Sequence, residues 1–167
     1  KIYVDPRIAT AETPIHEYGH LWAEMKRQTA KEEWDHIKDV LLHDKLIEPF
    51  IEKVRREYPE LSSEGKEDDF VEEVLTQFSG KHGAEKLHKM AEEIKAELGN
   101  DTAAETIAQA AIRKVKSILN EFWKGVADMM GWKYTTAEDI ADAVLRDMLN
   151  GVNPVEKMRE ASKDLTT

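Results

Sequence analysis

The stretch ETPIHEYGHLW, residues 12–22, sets two histidines four apart, His16 and His20, with Glu17 directly after the first. Thr13 followed by Pro14 reads as an N-cap and a proline at the first helical position, so a helix is expected from Pro14 to about Gln28. Ile15, Leu21, Trp22 and Met25 recur at helical spacing and would face a core. On such a helix, positions i and i+4 lie one turn apart on one face, so both imidazoles can aim a nitrogen at the same point. A Zn²⁺ about 2 Å from each nitrogen would complete that arrangement. Glu17, one residue round the helix, stands near enough to take a proton from a water at the metal, as a general base must. Gly19 has no side chain and lets another segment approach closely.

Composition narrows the chemistry further. The chain has 167 residues, no cysteine and a formal net charge of −10. That length suits one domain with a real core. The acidic balance, with no Lys/Arg block, argues against nucleic acid or an anionic membrane as the main partner. Without cysteine, any metal must be held by histidine and carboxylate. No apolar run is long enough to span a bilayer and no signal peptide is evident, so the expectation is a soluble, cytoplasmic protein. The chain opens with KIYVDP and no methionine, which reads as a fragment of a larger polypeptide whose other domains would be partners.

Outward from the opening stretch, the pattern is almost all helical, giving a mainly α fold with at most a short strand at KIYV near the N-terminus. A second helix is expected over Lys31–His43, with Trp34, Ile37, Val40 and Leu41 on one stripe. Pro49 would start or kink a third, ending before Pro59, and PELSSEGKEDD reads as a loop. A helix from Asp68 to about Ser79 would be closed by Gly80 and Gly83, and a charged amphipathic helix would follow to Gly99. Further helices are expected from about Ala103 to Met130 and, capped by Thr135 and Thr136, through Leu149, stopped by Asn150 and Gly151. The tail from Asn153 is polar and reads as frayed. Residues 1–99 would form the core and residues 100–167 a C-terminal helical subdomain packed on it.

A catalytic zinc site needs a third protein ligand and one open position. The motif does not continue to a third histidine six residues on, where Lys26 stands, so a downstream carboxylate is the next candidate. The segment DDFVEEVLTQFSG offers Glu72 and Glu73, one on either edge of its apolar stripe. Periodicity does not choose between them.

HEYGH followed by EEVLTQFSG resembles the zincin metallopeptidases of the glutamate-ligand type, the gluzincins, over roughly residues 3–83. Among these it looks most like the small zincin domains of polyvalent proteins on bacterial mobile elements and phages. YTTAEDIADAVLRDMLNG is similar to the helical ends of such proteins. The resemblance implies a zincin-like helical domain with one Zn²⁺, His16, His20 and Glu73 as ligands, and Glu17 as the base in hydrolysis of peptide bonds. It selects Glu73 because the third ligand in compact zincins is followed three residues later by a small residue, a place held here by Thr76. The partner implied is a peptide or protein substrate. Family members carry a sheet ahead of the motif helix, of which KIYVDP is the only remnant. A rival expectation is a non-catalytic helical interaction module whose HExxH is degenerate or structural. Tyr134, His82 and Tyr18 are possible donors to an oxyanion, with none preferred. His82 reads as a surface loop residue, and His36, His43 and His88 as solvated. Trp22, Trp34, Trp123 and Trp132, with Met129, Met130 and Met148, read as core packing.

Overall fold

The structure is a computed structural model that describes residues 11–99, 101–124 and 134–166. Seven α-helices lie among them and no strand does, in agreement with a mainly α fold. The KIYV segment, Trp132, Met129 and Met130 lie outside the described residues. No described helix is long and apolar enough to cross a membrane.

The first helix, α1, spans Glu12–Thr29, and α2 spans Lys31–His43, where the apolar stripe placed it. The α1 start corrects the capping assignment: Ala11 is the N-cap, no side chain caps the turn, and Pro14 sits within the first turn. A proline is tolerated there because the first amides of a helix have no partner to lose. A 3₁₀ turn, Lys45–Ile47, leads into α3, Glu48–Glu57, which carries Pro49 in its first turn and has Tyr58 as its C-cap. The PELSS segment holds a second 3₁₀ turn, Pro59–Ser62, before the chain reaches α4.

Helix α4 runs unbroken over Glu67–Leu98. Gly80 and Gly83 therefore do not end a helix. Their role is tertiary: a Cβ at Gly80 would lie 3.0 Å from the Glu12 carbonyl oxygen, and one at Gly83 would lie 2.9 Å from Ile15 Cδ1. Across the same contact a Cβ at Gly19 would lie 3.2 Å from Thr76 Cγ2. The α1 and α4 backbones thus approach more closely than side chains at these positions permit. The true stop is Gly99, whose φ of 95° lies in the left-handed region.

Helices α5, Ala104–Lys124, and α6, Ala137–Leu149, both pack on α4. Thr136 caps α6 through a reciprocal box with Asp139, and Gly151 lies beyond its end at φ 74°. Asp44 ties the start of α6 to the α2–α3 turn, its carboxylate accepting from the amides of Leu46 and Ala137. The tail is not frayed: α7 spans Pro154–Thr166 and packs on α1. Asn153 caps it, its side-chain oxygen accepting from the Glu156 amide at 3.2 Å.

The core lies where α1, α2, α4 and α6 meet, with Ile15, Trp22, Trp34, Leu75, Ile140 and Leu145 fully buried. Each such side chain stabilises the fold by roughly 1.5–3 kcal/mol relative to exposure. The indole N–H of Trp22 donates to Asp147 at 2.8 Å and that of Trp34 to Asp68 at 3.0 Å, so neither buried donor is lost.

Candidate metal centre

The close α1–α4 contact brings three groups to one point. His16 and His20 project from α1 on successive turns, with ring centroids 5.0 Å apart, and Glu73 faces them from α4. His16 Nε2 lies 3.7 Å from one oxygen of the Glu73 carboxylate, and His20 Nε2 lies 3.3 Å from the other. One donor atom from each residue falls within 4.8 Å of the other two, the one such group among the described residues. Tetrahedral bonds of 2.0–2.1 Å to nitrogen and oxygen place neighbouring donors about 3.3 Å apart. Each histidine is near that spacing from Glu73, but through a different carboxylate oxygen, so a single ion would draw the three donors somewhat closer. Two imidazoles and a carboxylate form a donor set suited to a divalent transition metal.

Glu72 takes a different place. Its carboxylate meets His20 Nδ1 at 2.9 Å, on the side of the ring away from Glu73, and accepts from Arg27 at 3.1 Å. Arg27 is itself held by Asp69 at 3.0 Å. A carboxylate on Nδ1 fixes the tautomer and aims Nε2 at the shared point. The two glutamates that periodicity left equivalent are separated by this geometry: Glu73 points into the cluster, and Glu72 orients a member of it.

Charge follows the same pattern. His20 is held up to about 9 by its bond to Glu72 and by Glu73, against the effect of burial. Burial pushes His16 below its ordinary value despite the pull of Glu73. The Glu73 carboxyl is held down, first by His20. Glu73 is 8% exposed, and Gln77, one turn on, donates to its carboxylate at 3.1 Å. Thr76 lies between the helices, with its hydroxyl 3.3 Å from His16 Nε2 and donating to the Glu73 carbonyl at 2.9 Å.

Glu17 is exposed on α1 beside His16, with no hydrogen bond or ion pair to another described residue. None of the three expected oxyanion donors is free for that role. The Tyr18 hydroxyl donates to the Val152 carbonyl at 2.8 Å, and Tyr134 is buried against Trp123. His82 is on α4, half-buried, bonded to Asp142 at 2.9 Å and stacked on Phe78, which corrects its reading as a loop residue. His36 is likewise not merely solvated, since its Nε2 meets the Tyr134 carbonyl at 2.8 Å.

Three residues of this environment were missed. Gln77 and Arg27 had helical spacing in their favour, four residues after Glu73 and seven after His20. Tyr58 had no sequence signal. It is partly buried against the core, and its phenol is pushed up chiefly by the negative charge of Glu73. No protein family, curated protein or solved structure matches this chain.

Proposed function

We infer that the chain is a zinc-dependent metallopeptidase of the zincin type. The observation that carries this reading is the meeting of His16 Nε2, His20 Nε2 and the Glu73 carboxylate at near-coordination spacing, with His20 oriented by Glu72. A Zn²⁺ held by His16, His20 and Glu73 would supply an acidified water and a Lewis acid for the substrate carbonyl. The chain's own residues do the rest. Glu17, exposed next to His16, accepts the proton of the attacking water and returns it to the leaving amine. Glu72 and Arg27 keep the His20 ring in one orientation through the cycle. Tyr58 lies by the Glu73 carboxylate, and its phenol would have to leave that carboxylate to donate to the developing oxyanion. A cytoplasmic setting and a place in a larger mobile-element polypeptide belong to the same proposal.

The rival has an observation of its own. With His20 protonated, Arg27, Glu72, His20 and Glu73 form an ion-pair chain that closes without any metal, as a purely structural cluster would. Metal analysis after purification without added zinc, followed by zinc titration, separates the two readings. One equivalent of tightly bound ion supports the peptidase, and no binding refutes it. Glu17→Gln is expected to retain zinc and lose hydrolysis of a peptide library by about 1000-fold or more, as loss of a proton-transfer group does. Tyr58→Phe is expected to lower kcat by roughly 100-fold with zinc retained.

A further inference from the structure

A cavity of about 380 Å³ opens beside His16, walled by the first turns of α1, by Phe50 and Lys53 of α3, and by Gln77 and Lys81 of α4. It adjoins the candidate metal centre directly, because His16 belongs to both. Glu73, Gln77 and Lys81 follow one another at four-residue intervals, so a single stripe of α4 leads from the centre into the cavity.

Two features of this cavity bear on what it can bind. The first is charge. In a chain of net charge −10, Lys26, Lys31, Lys38, Lys66 and Lys86 are engaged by carboxylates, whereas Lys45, Lys89, Lys95, Lys114, Lys116 and Lys157 form no ion pair among the described residues. Lys53 and Lys81 are exposed and form no ion pair among the described residues, and Lys81 Nζ lies 5.8 Å from the centre of the Phe50 ring. The second is an orphaned acceptor. Gln77 is 8% exposed and spends its amide N–H on Glu73, while its Oε1 is buried with no hydrogen-bond partner among the described residues. Such an oxygen is costly unless a donor arrives to meet it. Glu12 on the opposite wall is the single acidic lining residue, so a carboxylate entering here is drawn to the lysine side. Farther along, beyond Phe50 and Lys81, the wall turns acidic with Glu85 and Glu138.

We propose that this cavity is a substrate subsite for a peptide carboxylate, held by Lys53 and Lys81 beside Phe50, while the Gln77 carboxamide, whose Oε1 is buried without substrate, turns to accept a peptide N–H of the same chain. The proposal rests on the metallopeptidase reading for its place beside the scissile bond. Lys81 stands two turns of α4 from Glu73, about 12 Å along the axis. That separation puts the carboxylate within about three or four extended residues of the bond to be cut. The carboxylate comes from an aspartate or glutamate side chain or from a free C-terminus.

Binding is measured by fluorescence anisotropy with three labelled hexapeptides on zinc-loaded Glu17→Gln protein, where turnover is blocked. One peptide carries a central glutamate and an amidated end, the second replaces that glutamate by glutamine, and the third is the glutamine peptide with a free C-terminus. A carboxylate peptide is expected to bind roughly tenfold tighter than the neutral one, as a charged hydrogen bond predicts. The preference should fall below twofold when Lys53→Ala and Lys81→Ala are combined, both being exposed positions that leave the core untouched. Whichever of the first and third peptides shows the preference identifies its source. Equal binding of all three, no binding of any, or a preference that survives the double substitution overturns the subsite. Cleavage of the same peptides by the protein with Glu17 intact reads the function separately: selective binding without cleavage refutes the peptidase and leaves the subsite standing, and cleavage without selectivity does the reverse.

Discussion

The two halves of α4 are one continuous helix and obey different rules. From Phe70 to Gly80 every residue except Glu72 is buried, including Glu73, Thr76, Gln77 and Ser79. From Ala84 to Leu98 the buried residues are Leu87, Ala91 and Ile94, a plain amphipathic stripe with charges facing water. The second half is explained by packing alone. The first is not, because burying polar groups costs free energy that apolar side chains of the same shape would avoid. Its polar residues are kept in a position where α1 can present two histidines to them.

The largest expected break in this contrast is Glu73→Ala. It removes a donor from the cluster, and zinc affinity by titration should fall by more than the roughly 100-fold that outer partners are worth. Next comes the glycine contact. Gly80→Val puts a branched side chain where even a Cβ lies 3.0 Å from the Glu12 carbonyl, so unfolding in denaturant should show a loss of about 2–3 kcal/mol. Helix propensity alone predicts a small gain for that change, so the sign of the result decides between local and tertiary control.

A subtler test uses pH on the metal-free protein. His20 is raised from 6.5 to about 9, so its contribution is fully present below pH 6.5 and is lost as pH rises through about 9. Its side chain is 37% exposed, and after allowance for solvent screening the loss is about 1–2 kcal/mol. Glu72→Gln should flatten that slope and lower zinc affinity about 10- to 100-fold. The smallest effect belongs to the second half of α4: Glu93→Ala, at an exposed position, should change stability by less than about 0.5 kcal/mol and leave zinc affinity alone.

What was legible in the sequence was local. The α2 boundaries follow from an apolar stripe, the Thr136 cap from a Thr and an Asp three apart, and the pairing of His16 with His20 from the helical repeat. Asn153 followed by Pro154 is also a local start signal, overlooked because the segment around it is polar. Gly80 and Gly83 differ from their expected role for the opposite reason. A glycine that ends a helix and one that admits a neighbouring helix look identical until the neighbour is in place. The roles of Glu72 and Glu73 depend in the same way on the angle at which α1 crosses α4. The place of Tyr58 depends on a turn between helices, where no periodicity operates.

The missing β-carbons at Gly19, Gly80 and Gly83 have one more consequence. The Glu12 carbonyl at Gly80 and the Thr76 and Ile15 side chains at Gly19 and Gly83 take up the space those carbons would need, so close contact sets the gap between α1 and α4. In the proposed metal centre, that spacing would limit the range of bond lengths the three donors can offer. Calcium, which takes six to eight oxygens at 2.3–2.6 Å, finds neither the number nor the span it requires. If the centre holds an ion as proposed, the glycines would act as a gauge for its size, although none of them can touch it.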